Sequence, residues 1–236
     1  MMNRYYFNDQ AFTDAMERIC DEEEVYYYNP DDVTEIEIEG AGSISDLQYF
    51  PNLENLYLSC AELDNVDMLL MLPRLTELIV DFSIIRDTSA IGRLANLTSL
   101  SICNQTFDTM SVTKLSKLNE LCFISMSLPD PSCISALAGL EKLTIQKCEL
   151  YDIAFAASLH KLQYLDICLN HIKDISPLQE LHALEVINLW GNKVADLSPL
   201  KDLSGITKIN ISENPIDWNL CSPSELDRMS TICQLF

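Results

Sequence analysis

The chain repeats one short pattern over most of its length, and this repetition constrains the fold more than any other feature of the sequence. The segment NHIKDISPL at 170–178 recurs 22 residues later as NKVADLSPL at 192–200. Two apolar residues separated by one position precede each copy, as Leu165 and Ile167 precede the first. Steps of 20 to 22 residues find this arrangement nine times, starting at Ile36, Leu56, Leu78, Leu100, Leu121, Leu143, Leu165, Ile187 and Ile209.

Each repeat predicts a short strand followed by tight turns. The apolar–x–apolar start is typical of a strand with one buried face. The apolar residues that follow lie about three apart, as do Ile175, Leu178 and Leu181, which is the spacing of 3₁₀ turns. A unit of about 22 residues cannot bury its own apolar face, so neighbouring units must stack on a shared core. We expect a parallel sheet on one side of the stack and mostly 3₁₀ turns on the other.

The repeat resembles that of a known family. Its pattern, L-x-x-L-x-L-x-x-N-x-I-x-D-I-x-P-L, is similar to the 22-residue leucine-rich repeat of bacterial internalin-like proteins. The segments YFNDQAFTDAMERI and VTEIEIEGAGSISDLQYFPNLENL are similar to the helical N-terminal cap and first repeat of that family. The resemblance implies an α/β fold: a right-handed solenoid with a parallel β-sheet on its concave face, mostly 3₁₀ turns on its convex face and short helical caps at both ends. It also implies a recognition scaffold.

We expect three parts in one continuous, complete domain. Residues 1–32 form the N-terminal helical cap, residues 33–218 form nine leucine-rich repeats of 20–22 residues, and residues 219–236 form the C-terminal helical cap. Caps of this kind are needed because the shared core of a solenoid is open at both ends. Asn8 is the expected N-cap residue of the first helix and Ser222 that of the second.

The early repeats depart from the family pattern at the sixth position. The family places Asn there, and its side chain bonds the backbone of adjacent turns in a ladder. Asn170, Asn192 and Asn214 follow the pattern, whereas Ala61 and Met126 do not. The turns near these two residues must satisfy their backbone groups in another way. We therefore expect the early repeats to be less regular.

The charge of the chain restricts its partners, and its apolar segments bear on its compartment. The formal net charge is −21, which excludes a nucleic-acid backbone and favours a protein partner with a basic surface. The sequence contains no run of about 18 apolar residues that could cross a membrane. Its N-terminus, MMNRYYFNDQAF, lacks the basic and apolar regions of a secretory signal. We expect a cytoplasmic monomer. The alternative is a secreted or cell-surface protein whose signal peptide is missing from this sequence.

The nine cysteines do not form an evident disulfide framework. They are odd in number, belong to different repeats and include no C-x-x-C pair or zinc-binding spacing. The repeat register places Cys103, Cys122 and Cys168 on or beside the outward face of their strands. We expect reduced thiols, as in a cytosolic protein.

The sequence contains no catalytic or cofactor-binding motif, so we expect no enzyme, cofactor or metal site. His160 and His182 occupy the same position of successive repeats, and the more plausible of two interpretations is a solvated pair rather than a metal site. A recurrent aspartate precedes the turns of several repeats and is expected to cap free backbone amides. These aspartates are Asp87, Asp130, Asp152, Asp174 and Asp196.

The residues that flank the two strand apolars point outward, onto the expected concave face. Apolar and aromatic residues at these positions have no core to fill, and aromatics on an open face are typical of protein-binding sites. The predicted binding residues are Tyr57, Ile79 and Phe82 in the early repeats, Ile124 in the middle, Tyr164, Val186 and Trp190 in the late repeats, and the acidic rim of Glu35, Glu37 and Glu39. Two plainer interpretations stay open: single exposed apolars are common, and charges on a terminal strand can discourage edge-to-edge association.

These features favour a non-catalytic protein–protein interaction scaffold that binds its partner through the concave face. Two alternatives remain. One is a secreted or surface adhesin of the internalin kind. The other is a regulatory subunit that docks on an enzyme, as in the eukaryotic phosphatase regulator built from similar repeats.

Overall fold

A computed structural model describes residues 7–22, 29–128, 130–222, 224, 227 and 231–233. One α-helix, α1 (Gln10–Glu22), precedes the strands. The strands are β1 (Glu35–Glu39), β2 (Asn55–Ser59), β3 (Glu62–Asn65), β4 (Glu77–Asp81), β5 (Ile84–Asp87), β6 (Ser99–Cys103), β7 (Glu120–Ile124), β8 (Lys142–Gln146), β9 (Tyr164–Asp166), β10 (Val186–Asn188) and β11 (Lys208–Asn210). The 3₁₀ helices are Pro30–Asp32, Ser45–Tyr49, Asp67–Met71, Ile91–Arg93, Thr109–Lys114, Pro131–Ala136, Ala154–Ser158, Ser176–Leu178, Ser198–Leu200 and Trp218–Leu220. Two compact units, Met1–Lys117 and Leu118–Phe236, make up the chain.

The first unit pairs four parallel strands in the order β1, β2, β4, β6. Ile36 lies opposite Leu56, which lies opposite Leu78, which lies opposite Leu100. These four side chains are buried, while Glu35 and the other two glutamates of β1 are exposed. The apolar–x–apolar start of each repeat therefore forms a strand with one buried face, as predicted.

The second unit pairs five parallel strands, β7 to β11, in chain order. Leu121, Leu143, Leu165, Ile187 and Ile209 lie opposite one another in succession, and each is 22 residues from the next. All five are buried. A 3₁₀ helix follows most of the strands in both units. The predicted fold, a leucine-rich-repeat solenoid with a parallel sheet and mostly 3₁₀ turns, is confirmed.

A second, smaller sheet was not predicted. β3 and β5 of the first unit pair in parallel, with Glu62 opposite Ile84 and Leu63 opposite Ile85. Leu63 and Ile85 are both buried, so the shared core extends beyond the main sheet. The segments ELDN and IIRD are too short for the periodicity of the sequence to separate a strand from a turn.

A residue near the end of each strand of the main sheet turns the chain sharply. It directly follows β1, β2, β4, β6, β7 and β8, and it lies three residues beyond the end of β9, β10 and β11. In all nine repeats this residue has a left-handed backbone, with φ between 44° and 76°: Gly40, Cys60, Phe82, Asn104, Ser125, Lys147, Leu169, Gly191 and Glu213. We call these the corner residues. A left-handed backbone costs roughly 1–2 kcal/mol for a residue other than glycine. Gly191 has a second reason to lack a side chain, because a Cβ there would lie 2.9 Å from Cδ2 of Leu169.

The predicted asparagine ladder is present in the late repeats. Nδ2 of Asn192 donates to the backbone oxygens of Ile167 at 2.9 Å and Leu189 at 3.0 Å, and its Oδ1 accepts the N–H of Ile172 at 3.0 Å. Asn170 and Asn214 bond in the same way. Because these amides satisfy buried backbone groups of two neighbouring repeats, the ladder fixes the spacing between them.

Other residues take over this role in the first unit. Oγ of Ser83 accepts the N–H of Ala61 at 3.1 Å and donates to the backbone oxygen of Asp81 at 2.8 Å. Gln105 differs, because neither Nε2 nor Oε1 of its buried amide has a hydrogen-bond partner among the described residues. The expected alternative to the ladder is thus found near Ala61 and is incomplete at Gln105.

The early strands are longer than the late ones. β1 and β2 have five residues each, whereas β9, β10 and β11 have three. The third residue of each late strand is Asp166, Asn188 or Asn210, whose Oδ1 accepts the N–H of the residue two positions on at 3.0 to 3.1 Å. This side-chain bond competes with the strand ladder and ends the strand early.

The N-cap of α1 lies one residue later than predicted. Asp9, not Asn8, caps the helix, since its Oδ1 accepts the N–H of Ala11 at 2.9 Å. Asn8 instead donates its backbone N–H and its Nδ2 to the fully buried carboxylate of Asp46, at 2.6 and 2.8 Å. Both residues favour N-cap positions, and the contact with Asp46 of the first repeat selects between them. The ring of Phe12 packs 6.3 Å from that of Phe50 on the same repeat.

The predicted C-terminal helix is only partly within the described residues. Ser222 is described and exposed, but Pro223, residues 225–226 and residues 228–230 lie outside the described part of the chain. An isolated parallel bridge joins Ile209 of β11 to Cys233. The predicted division into caps and nine repeats stays a prediction.

The recurrent aspartates cap turns, as the sequence indicated. Oδ1 of Asp174 accepts the N–H of Ser176 at 2.8 Å, and Oδ2 accepts its hydroxyl at 3.0 Å. The other four, Asp87, Asp130, Asp152 and Asp196, accept the N–H two residues on in the same way. Hydrogen bonds from Ser89 and Ser132 hold the pKa of Asp87 and Asp130 below the usual value, because they stabilise the ionised carboxylate.

Candidate functional site

The side of the main sheet opposite the buried leucines and isoleucines is called the strand face below. Each unit presents its own strand face. All ten residues predicted to bind a partner lie on these faces or at their edges, six in the first unit and four in the second. Each surface is described separately.

On the first unit, Tyr57 and Ile79 form the apolar centre of the strand face. They are register partners on β2 and β4, and both side chains are partly exposed. Phe82 does not lie on the strand itself, because it is the corner residue after β4. Its side chain is 65% exposed. The structure therefore brings Tyr57 and Ile79 together and places Phe82 at the edge of the same face.

Carboxylates surround this apolar centre. The twelve strand-face positions of β1, β2, β4 and β6 hold five acidic residues and no lysine or arginine. The acidic residues are Glu35, Glu37, Glu39, Glu77 and Asp81. Among the described residues none of the five forms a salt bridge. Arg18 of α1 approaches β1, but its Nη2 donates to the backbone oxygen of Glu37 at 2.8 Å and not to the carboxylate.

The acidic side chains affect Tyr57 directly. Burial of the ring raises the pKa of the Tyr57 hydroxyl, and the carboxylates of Asp81 and Glu37 raise it further. Negative charges disfavour the tyrosinate, so the two carboxylates add to the rise that burial causes. The first-unit surface thus combines an apolar centre with an unbalanced negative charge.

On the second unit, Tyr164, Val186 and Trp190 form the predicted apolar group. Tyr164 and Val186 are register partners on β9 and β10, and both are partly exposed. Trp190 follows the end of β10 and is 38% exposed. Ile124 lies on β7 opposite Gln146, and its side chain is also partly exposed.

The backbone of Trp190 is held on both sides. Its N–H donates to Oδ1 of Asn188 at 3.1 Å, and its carbonyl oxygen accepts the N–H of Leu169 at 2.7 Å. The neighbouring Asn192 belongs to the asparagine ladder. An aromatic side chain on a backbone fixed in this way loses little further freedom on binding a partner.

A buried polar network lies beneath this surface, and the sequence did not reveal it. Oδ2 of Asp166 accepts Nε2 of Gln146 and Nδ2 of Asn188, both at 2.9 Å, and lies 3.5 Å from the hydroxyl of Tyr164. Burial, together with the Asp166 carboxylate, raises the pKa of Tyr164. Asp166, Asn188 and Asn210 occupy strand positions that were expected to be open, but all three are buried. An aspartate or asparagine occupies the third strand position in three successive repeats, and this sequence signal could have revealed the network.

Two of the three cysteines expected on or beside the outward face are buried. Cys103 and Cys168 are at most 9% exposed, whereas Cys122 is partly exposed. Burial and then the Asp166 carboxylate raise the pKa of the Cys168 thiol to about 12. That thiol is therefore protonated at neutral pH and is a poor nucleophile. No disulfide joins the eight cysteines whose side chains the structure describes.

The described residues offer no other evident chemistry. Among them, no group of three or more histidine, cysteine, aspartate or glutamate side chains could hold a metal ion. Nε2 of His182 lies 3.7 Å from Glu180, and the ring of His171 lies 4.9 Å from that of Tyr151. Within the same residues, no helix has the length and apolarity needed to span a bilayer.

Solved structures share this fold. Internalin C2 of Listeria monocytogenes is 28% identical over 76% of this chain and 81% of its own, with a TM-score of 0.66. An internalin F of the same organism is 26% identical over 91% of this chain and 72% of its own, with a TM-score of 0.69. A leucine-rich-repeat protein of Leptospira interrogans is 23% identical over 88% of this chain and 61% of its own, with a TM-score of 0.67. No protein-family model matches the chain, and no curated protein matches it.

The repeated strands, the 3₁₀ turns and these structures define the chain as a leucine-rich-repeat protein. Within that class it is internalin-like, as the L-x-x-L-x-L-x-x-N pattern indicated.

Proposed function

We propose that the chain is a non-catalytic scaffold that binds a protein partner with a basic surface through its strand face, the concave side of the solenoid. The observation that carries this proposal is Trp190, a partly exposed tryptophan on a backbone fixed by its neighbours. Tyr164 and Val186 lie near it on the same face. Rigid aromatic residues of this kind dominate the binding energy of many interfaces, because they bury a large area at a small entropic cost.

One solved structure with the same fold belongs to a binding complex. The fold is shared with a chain from the complex of the Arabidopsis receptor kinase HAESA with a peptide hormone and a co-receptor. That chain is 23% identical over 75% of this chain and 33% of its own, with a TM-score of 0.62, and it speaks for the fold alone. A binding scaffold also agrees with a strand face whose polar network stabilises backbone and side chains without arranging a reactive group.

The proposal also covers the oligomeric state and the location. A monomer is favoured because two copies that met through the acidic first-unit surface would bring like charges together. A cytoplasmic location is proposed, with the secreted or surface adhesin as the alternative. A regulatory subunit that docks on an enzyme is the second alternative. Capture from separate cytosolic and surface fractions of the native host distinguishes these cases.

The test of the proposed function is capture of a partner with the full chain as bait. The immobilised chain should retain a defined protein from one host fraction, identified by mass spectrometry, and the Trp190→Ala chain should retain much less of it. A captured enzyme whose activity changes on binding would favour the regulatory alternative. Equal retention by both baits would contradict binding through the second-unit surface.

We expect Glu37→Lys to slow association with a basic partner. The exposed carboxylate lies on β1 in the acidic first-unit surface, where it attracts cations before contact. The association rate at low salt should fall by about two- to tenfold, and its dependence on ionic strength should weaken. Stopped-flow or surface-based kinetics at two ionic strengths would measure both effects.

Glu54→Lys is the matched control for this experiment. Glu54 is also exposed on the first unit, but it precedes β2 and lies off the strand face. The two variants change the net charge equally. If both slowed association to the same extent, the effect would come from net charge and not from the acidic surface.

A further inference from the structure

Phe82 has no evident role in stabilising the fold. As a corner residue with φ of 44°, it adopts a left-handed backbone that costs free energy in any residue except glycine. Its side chain is 65% exposed, so burial does not offset that cost. The same corner is occupied by glycine or asparagine, which favour this backbone, in three other repeats. A strained and exposed aromatic residue is an observation that points to function.

Ile84 adds a second apolar side chain at the same edge. It begins β5 and is 62% exposed, whereas Ser83 before it and Ile85 after it are buried. Phe82 and Ile84 are both exposed while Ser83 between them is buried, so the two apolar side chains lie on the outer side of this turn. Together they form an exposed apolar pair, here called the corner pair. The strand-face pattern of the sequence did not include Ile84.

The surroundings of the corner pair are negative. Asp81 directly precedes Phe82, and Glu62 lies opposite Ile84 in the small sheet. The nearby positive charge of Arg86 is balanced by Asp64 at 2.8 Å. Residues 1–117 contain 21 of the 36 acidic residues and 7 of the 15 basic ones. The corner pair therefore lies on the more acidic half of the chain and borders its acidic strand face.

We propose that the corner pair anchors an extended, lysine- and arginine-rich segment of a partner protein, whose cationic side chains contact the carboxylates of the first-unit strand face. The proposal rests on the proposed function in one respect, that the partner is a protein. It adds the chemistry of the partner and the anchoring residues. Apolar side chains of the segment contact Phe82 and Ile84, and a cation over the face of Phe82 gains a further attraction.

Other occupants of this surface are disfavoured by charge. A second copy of the chain, a nucleic acid and an anionic membrane all carry the same sign of charge as the surface. A small cation would need clustered ligands, and no such cluster exists among the described residues. A cationic protein segment satisfies both the carboxylates and the apolar pair.

The test uses a fluorescein-labelled peptide of repeated Lys-Leu-Lys-Ser units and a counterpart in which glutamate replaces lysine. Binding to the full chain is measured by anisotropy at low ionic strength, and thermal stability is measured for each variant. Phe82→Asn removes the anchor without changing the charge and introduces a residue that adopts the left-handed backbone readily. Ile84→Thr tests the second anchor with a residue that favours strands.

The lysine peptide should bind and the glutamate peptide should not. Phe82→Asn should weaken binding by about tenfold or more, while its melting temperature stays the same or rises. Met110→Gln is the matched control, because it removes an equally accessible apolar side chain from a 3₁₀ helix of the same unit and should bind as the unchanged protein does.

Three results would overturn the inference: no binding of the lysine peptide, equal binding by Phe82→Asn, or a lower melting temperature for Phe82→Asn. The first two would mean that the surface takes no such segment or attracts it by charge alone. The third would assign Phe82 a structural role. None of these results decides the proposed function, since partner capture does not use the peptide.

Discussion

Leu143→Ala should lower the free energy of unfolding by roughly 2–5 kcal/mol. Leu143 is fully buried on β8, between its register partners Leu121 and Leu165 on the neighbouring strands. Truncation removes contacts with both neighbouring repeats and leaves a cavity that a close-packed core fills only in part. Urea unfolding followed by circular dichroism would measure the change.

Two variants control for this effect. Thr144→Ala changes the next residue of the same strand, whose side chain is on the strand face, and should change stability by about 0.5 kcal/mol or less. Asp174→Ala removes a turn cap and should cost about 1 kcal/mol. If Thr144→Ala were as damaging as Leu143→Ala, the assignment of buried and outward positions would be wrong.

Trp190→Ala should weaken binding of the captured partner by roughly 2 kcal/mol or more, which is about thirtyfold in affinity. The side chain lies on the outward side of the sheet, so the melting temperature should change little. Isothermal titration calorimetry and a thermal melt measure the two quantities on the same protein. Tyr151→Ala is the control, because Tyr151 is an exposed aromatic residue of the same unit that lies outside the main strands.

The two measurements separate three cases. Weaker binding with unchanged stability supports the second-unit surface as a recognition site. A large loss of stability would show that Trp190 belongs to the core. Unchanged binding and stability would mean that recognition does not use this part of the strand face.

The sequence predicted the parts of the fold that depend on periodic burial. Leu143, Leu165 and Ile187 were identified as core residues because each repeat buries the same positions against its neighbours. Asp174 was identified as a cap because a short acceptor before a turn bonds the amide two residues on. Such features depend on local spacing and recur, so each repeat provides an independent observation of the same rule.

Features that depend on backbone geometry or on distant contacts were missed. The left-handed corner holds residues as different as Phe82, Lys147 and Leu169, which give no sequence signal for that backbone. Asp166 was assigned to the open face, but its hydrogen bonds to residues of neighbouring repeats bury it. Asp9 caps α1 in place of Asn8, because Asn8 donates to Asp46, which is 38 residues away in the sequence.

The candidate site was predictable in position but not in detail. The alternation of each strand placed Tyr57 beside Ile79 and Tyr164 beside Val186, and the register pairs them. The corner position of Phe82 and the exposure of Ile84 could not be predicted, since both require the turn after β4 to be known. The fixed backbone of Trp190 likewise depends on specific contacts: its N–H donates to Asn188, and its carbonyl oxygen accepts the N–H of Leu169 in the preceding repeat.

Site-specific photo-crosslinking tests the central claim, that the strand face binds a protein, most directly. A benzophenone amino acid is placed at Tyr57 or Thr144 on the strand face, and at Met71 or Tyr151 away from it, in the full chain mixed with its captured partner. The account predicts crosslinks from the strand-face positions and few from the other two. Crosslinks that formed mainly from Met71 or Tyr151 would contradict it.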